Sequence, residues 1–373
     1  MWFTHVFVRS ALPILLPLIT REFSLSYTDT GILVTVSLLV FALVQLPAGY
    51  LAGRAGSRRV LVSAIGSTAL FSVLLATSTS YIQFFIFCAV GAIGSGCHLT
   101  VATAYISNIF EEREIGKAIG THESAVSLGS LLSSLTILPL ALSLSWRLTY
   151  VVCAALAVAV SVAVWMFLPG GEGFQPEETR ESEQPQGVFD RGLLMLFLIF
   201  TFHSFVFHAA SSFLPLYLSA DKGIQLAYLA YYVSVPHTLG IFGRPLGGHL
   251  SDRVGRKNVV LASTTSLASG IVLLVLLQGE HWLLLALILL GFGLHTSIPP
   301  MFALLMTMIP SSKRAVIVGR VNTVRHLITG LSPAIMGSMV DSRGFPTAFL
   351  ALASITVMGL LVTLGFREKR TTT

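Results

Sequence analysis

Three arginines, Arg9, Arg244 and Arg325, and one carboxylate, Glu123, stand inside long apolar stretches of this 373-residue chain. An ionisable side chain costs about 3 kcal/mol or more to hold in such surroundings, so each is a candidate for function. Three cations against one carboxylate leave positive charge uncompensated. A guanidinium offers a planar fork that grips two oxygens of a carboxylate, nitrate or phosphate at once, and the set therefore predicts binding of a small anion. A carboxyl that alternates between an apolar surround and a nearby guanidinium can take up and release a proton, which assigns proton coupling to Glu123 with His122 beside it. A fixed ion pair between Glu123 and Arg325 is the structural alternative.

His5 and His203 add imidazoles that could bind substrate or carry protons, although a buried histidine also serves simply as a satisfied hydrogen-bonding group. No two histidines show the i, i+4 spacing of a zinc helix, and Cys88, Cys97 and Cys153 have no paired spacing, so neither a metal nor a disulfide framework is expected. There is no nucleophile–base constellation and no Walker A sequence. The sequence thus predicts neither an enzyme nor a cofactor.

The elements that must carry these groups are transmembrane. Hydrophobic residues make up 54% of the chain and charged residues 11%, with a mean hydropathy of +0.81. A soluble fold of that composition lacks polar surface. Apolar segments long enough to cross a bilayer core of about 30 Å recur throughout. Twelve are expected, at about 2–20, 30–52, 59–79, 81–109, 115–142, 147–168, 191–219, 226–250, 258–278, 281–309, 314–340 and 346–366. Sixteen of the 23 Lys and Arg fall in the loops on one side, which holds both termini, and four, Arg21, Arg147, Lys222 and Arg343, on the other. By the positive-inside rule the first side is cytoplasmic, and this explains the net charge of +6 without nucleic acid. Arg244, eight residues before the loop residue Asp252, then lies about 12 Å into the membrane, and Arg325, eleven beyond Arg314, about 16 Å.

Residues 169–190, rich in Glu, Gln, Pro and Gly, read as a cytoplasmic linker dividing an N-terminal six-helix bundle, 1–168, from a C-terminal one, 191–373. The halves repeat. HVFVRSALPILLPL at 5–18 lies over HSFVFHAASSFLPL at 203–216, and GYLAGRAGSRRV at 49–60 over GHLSDRVGRKNV at 248–259, with offsets of 198 and 199. Two parallel repeats predict an all-α membrane protein of two pseudo-symmetric bundles with its ligand site near the midplane at their interface. His5 and His203 are repeat-equivalent. Arg9, Arg244 and Arg325 instead face Phe207, Gln45 and Val126, so the fold does not require them.

The charged loop motif, in the second copy Gly248, Leu250, Asp252, Arg253, Gly255, Arg256 and Lys257, resembles the signature loop of the major facilitator superfamily. The resemblance spans the chain through the first copy, which holds Gly49, Arg54 and Gly56 but has Gly53 at the aspartate position. It implies a secondary transporter working by alternating access, with these residues latching the cytoplasmic face and Asp252 the more important gate. RPLGGHLSD is similar to span eight of anion carriers of the nitrate/nitrite and oxalate/formate types. A basic residue in span eleven, Arg325, is similar to the oxalate/formate pattern, whereas Gln45 stands where the nitrate family has its second arginine. The implied function is transport of a small organic anion across the cytoplasmic (inner) membrane. The expected partners are that anion, protons or a counter-anion, and the lipid bilayer, with the protein a monomer. A proton-driven exporter of drugs or amphipathic metabolites, of the fosmidomycin-resistance type that GTHESAVSLGS resembles, is the alternative. A non-translocating receptor is the alternative from another class.

Overall fold

The computed structural model describes residues 1–110, 112–168, 191–309 and 314–367. The expected linker 169–190 lies outside them, as do Lys313, Lys369 and Arg370. Among the described residues all regular structure is helical. The helices are α1 (Trp2–Glu22), α2 (Tyr27–Ala55), α3 (Ser57–Thr77), α4 (Tyr81–Ile109), α5 (Glu112–Ser143), α6 (Trp146–Phe167), α7 (Arg191–Leu216), α8 (Leu226–Val254), α9 (Arg256–Leu276), α10 (Glu280–Thr296), α11 (Ile298–Met308), α12 (Arg314–Gly330) and α13 (Ser332–Gly365). Among the described residues ten segments are long and apolar enough to cross a membrane. The large side chains Ile82, Met166, Phe167 and Phe242 are each about two-thirds exposed or more. Water at such faces would cost roughly 25 cal/mol per Å², so hydrocarbon is the solvent that suits them.

Helix starts follow local chemistry. Ser26 accepts the Asp29 amide at 3.0 Å while the Asp29 carboxylate accepts the Ser26 amide at 3.2 Å, a reciprocal cap opening α2. Ser80 and Ser145 cap α4 and α6 in the simpler way.

Two spans depart from the expected outline. The stretch expected at 281–309 breaks at Ser297, between α10 and α11, because Pro299 and Pro300 supply no N–H to the preceding turn. The stretch expected at 314–340 breaks at Leu331, just before Pro333, while α13 runs on through Gly344, whose φ of 78° marks the turn between the last two expected spans.

The chain forms two compact units. One contains α1–α6 together with Pro215–Tyr231; the other contains α7 up to Leu214 and everything described from Tyr232 onward. In the first, α3 packs on α4 and α6, α2 on α4, and α1 on α5. In the second, α9 packs on α10 and α13, as α3 does on α4 and α6. The sequence repeat is thus a repeat of packing. Gly293 has no room for a side chain, since a Cβ there would lie 2.6 Å from the Leu267 amide nitrogen on α9. A glycine at this point lets the two helices pack closely.

Candidate functional site

The loop motif builds the same turn twice. Gly56, between α2 and α3, has φ 85° and ψ 137°, and Gly255, between α8 and α9, has φ 93° and ψ 139°. That region is open essentially to glycine alone, which is why both copies carry one. The next turn carries a basic side chain that reaches a helix end. Arg58 donates to the Trp165 carbonyl near the end of α6, and Lys257 donates to the carbonyls of Leu364 at 2.8 Å and Phe366 at 2.7 Å at the end of α13. Trp165 and Leu364 are themselves 199 residues apart. A cation there satisfies orphan carbonyls and complements the helix dipole.

Of the other motif residues, Arg256 donates to the Ala303 carbonyl and to Thr307, each at 3.3 Å, while Arg54 lies over the Tyr50 ring at 4.5 Å. Asp252 and Arg253 are exposed. Gly248 has Pro299 as its nearest neighbour, and Gly49 stands in open space.

In the second unit Arg325 is buried, 7% exposed, on α12. Its Nη1 donates to Ser204 Oγ on α7; its Nη2 donates to Asn322 Oδ1 at 3.2 Å and contacts His326 Nε2 at 3.0 Å. Because a guanidinium only donates, His326 must present its lone pair at Nε2. The Phe200 ring lies 5.0 Å from the guanidinium carbon. Every one of these partners is neutral. Among the described residues no carboxylate lies within ion-pair distance of Arg325. Its Nε is buried without an acceptor.

Arg244 sits half-buried on α8, close enough to interact electrostatically with His237 and His295. Gly243 and Gly247 bring α8 onto Thr296 at the α10 break. His203 is pinned there too, 3.0 Å from the Leu294 carbonyl and 3.3 Å from Ser297 Oγ, and buried.

In the first unit Glu123 is 43% exposed and its Oε1 lies 3.5 Å from His122 Nδ1. Arg9 is an exposed residue whose guanidinium carbon lies 5.0 Å from the Phe41 ring and 5.9 Å from Trp2, and it interacts electrostatically with Glu123. His5 points into the unit, where Nδ1 meets Thr68 Oγ1 at 2.9 Å. It also joins His98, ring centres 4.6 Å apart, and His98 in turn meets His122, Nε2 to Nε2, at 3.4 Å.

Sequence reasoning singled out Arg325, His5 and His122, and placed His98, Asn322 and His326 inside spans, but did not bring these groups together. Asn322 and His326 flank Arg325 at i−3 and i+1, and the first of these spacings would have disclosed a shared helix face. Ser204 and His98 come from other helices. Nothing in their local sequence marks the convergence.

Charged groups in the interior of a many-helix membrane chain define a polytopic transport-type protein. The profile describing the Major Facilitator Superfamily matches residues 2–333 and 240–373, and the chain belongs to that superfamily. It is 21% identical to the cis,cis-muconate transport protein of Acinetobacter baylyi over 94% of this chain and 88% of that one. It is 22% identical to the hexuronate transporter of Bacillus subtilis, covering 96% and 90%. It is 20% identical to the D-galactonate transporter of Escherichia coli, covering 92% and 87%. Among solved structures, a bacterial homologue of the human lysosomal transporter Spinster matches with a TM-score of 0.82 at 16% identity, over 98% of this chain and 94% of that one. The nucleoside transporter NupG matches with a TM-score of 0.81 at 14% identity, over 98% of both. The fold is that of these transporters.

Proposed function

We propose that this protein is a secondary transporter of a small organic anion, a carboxylate, in the cytoplasmic membrane, working by alternating access and coupled to protons. The observation that carries it is Arg325, a buried cation with neutral partners and a spare Nε–H donor. Such a charge is costly to keep unless something negative joins it. A carboxylate supplies two oxygens to a planar fork, and the amide of Asn322 and the imidazole of His326 stand ready for the rest of the molecule. The muconate, hexuronate and galactonate named for the relatives are all organic acids, which supports the same class. Arg244 and Arg9 are the further anion-binding candidates. His5 and His203, held by Thr68 and Leu294, serve the interior of their units rather than the anion.

Twelve crossings result when α8 joins the ten long apolar segments and the 49-residue segment Ile317–Gly365 is divided at Gly344. An even number fits both termini on the basic, cytoplasmic side. Asp252 with Arg253 and Arg256 would latch that side.

Glu123, half-exposed against His122 and within the field of Arg9, is suited to take up and release the coupled proton. The test is flux in proteoliposomes holding an internal pH dye, across a panel of mono- and dicarboxylates under an imposed proton gradient. Substrate-dependent acidification is the expected result, and Glu123→Gln should abolish accumulation while sparing anion exchange. Carboxylates that neither accumulate nor exchange with the wild-type protein would overturn the reading.

A further inference from the structure

The first unit holds more titratable groups than the Glu123–His122 pair uses. His5 of α1, His98 of α4 and His122 of α5 converge, and Trp2 lies nearly parallel to two of the rings, 14° from His98 and 2° from His122. The line runs inward from the half-exposed Glu123, through His122 at 12% side-chain exposure, to His98 and His5 at 1% each. It ends at Thr68 of α3, whose hydroxyl lies 3.3 Å from the Ala64 carbonyl.

Hydrogen-bond bookkeeping shows what this line lacks. An ionised Glu123, its Oε1 3.5 Å from His122 Nδ1, favours a hydrogen on that nitrogen, which is otherwise buried without a hydrogen-bond partner. A neutral His122 then keeps its lone pair on Nε2, so the 3.4 Å contact requires His98 to carry its hydrogen on Nε2. His98 Nδ1 is left as a bare lone pair, and it is buried without a partner. At the other end the Thr68 hydroxyl lies 3.3 Å from the Ala64 carbonyl and 2.9 Å from His5 Nδ1; when it donates to Ala64, His5 donates from Nδ1 and its Nε2, buried without a partner, is a bare lone pair. The rings bearing these two nitrogens are the pair with centres 4.6 Å apart. In that arrangement His98 Nδ1 and His5 Nε2, on neighbouring buried rings, are two acceptors that no donor reaches.

We propose that Glu123, His122, His98 and His5 bind one proton as a unit and form a relay between the buried end at His98 and the exposed carboxylate, a role that rests on the proton-coupled reading above. A proton from water bound at His98 Nδ1 releases the hydrogen from His98 Nε2 to His122 Nε2. The hydrogen on His122 Nδ1 passes to the Glu123 carboxylate. Each ring gains one N–H bond and loses one, and the net change is one proton gained and one carboxylate neutralised. Afterwards Glu123 O–H faces His122 Nδ1, and His122 Nε2–H faces His98 Nε2. The other charged groups acting on the line are Arg9 and the Met1 amino group, both from the α1 end; α3 contributes the hydroxyl of Thr68 and α2 the ring of Phe41. Trp2 keeps the rings in register.

The test compares His98→Gln with Glu123→Gln in proteoliposomes, measuring protons moved per anion and, separately, anion exchange without a gradient. Glutamine at position 98 fills similar space but has no second tautomer. Loss of about one proton per anion in both variants, with exchange retained, is expected. His98→Gln with wild-type stoichiometry while Glu123→Gln loses coupling would overturn the relay and leave the proton-coupled reading standing. Unchanged stoichiometry in both would overturn the two together. The wild-type protein supplies a check that needs no variant: with nitrogen-15-labelled histidine, the His98 hydrogen should move from Nε2 to Nδ1 as the site loads, and one tautomer across the whole pH range would refute the relay.

Discussion

Arg325→Met separates a binding arginine from a structural one. The methionine keeps much of the apolar stem and removes the charge. The wild-type side chain makes three polar contacts, all to neutral groups, and among the described residues it has no carboxylate partner. If an anion binds the fork, two hydrogen bonds to a charged group are lost, about 1.5–3 kcal/mol each, so uptake at low substrate should fall by about a hundredfold or more. Stability should respond differently. Removing one member of a buried ion pair costs about 3–5 kcal/mol, whereas removing a buried charge with no counter-ion relieves desolvation and offsets the lost neutral contacts. The expected outcome is a thermal unfolding midpoint in detergent within a few degrees of wild type, alongside the collapse of uptake. Arg325→Lys retains the charge but not the fork, and should fall between the two. Initial rates over a range of substrate concentrations in proteoliposomes, paired with the unfolding curves, measure both. Wild-type uptake by the methionine variant would refute the reasoning, as would a large loss of stability with transport lost only in proportion.

Four further substitutions probe the scaffold. Gly293→Ala would place a Cβ 2.6 Å from the Leu267 backbone and force α9 from α10; overpacking of this kind costs about 1–3 kcal/mol, to be read as a lowered unfolding midpoint. Gly255→Ala meets no crowding, since the nearest atom is 3.7 Å away, yet its φ of 93° alone should cost about 1–3 kcal/mol. Gly56→Ala should match it, and a clear difference between the two would deny that the turns are equivalent. Arg147→Ala breaks the 2.6 Å pair with Glu22, but both side chains are more than a third exposed, so the loss should stay below about 1 kcal/mol with transport intact.

The sequence by itself determined the solvent, the helices and their repetition. Apolar runs of membrane length leave few options, because in hydrocarbon each backbone polar group must be satisfied within its own segment. A nearly constant offset of 198–199 residues then carried through to geometry, down to paired dihedrals at Gly56 and Gly255 and paired caps at Trp165 and Leu364. Arg325 and Glu123 were legible for the same reason: charge in an apolar run stands out against its cost.

Breaks were less legible. Pro299 and Pro300 announce that a helix is interrupted, but many spans here hold proline without breaking, among them α1 with Pro13 and Pro17. Only the tertiary structure decided what surrounds each polar group. His5 and His98 are 93 residues apart and His98 and His122 are 24, on three helices whose facing sides depend on packing rather than on local pattern. His5 and His203, equivalent in the repeat, meet different partners, Thr68 in one unit and Leu294 with Ser297 in the other. A side chain's chemistry is written in the chain; its hydrogen-bond partners are set by which helices pack together.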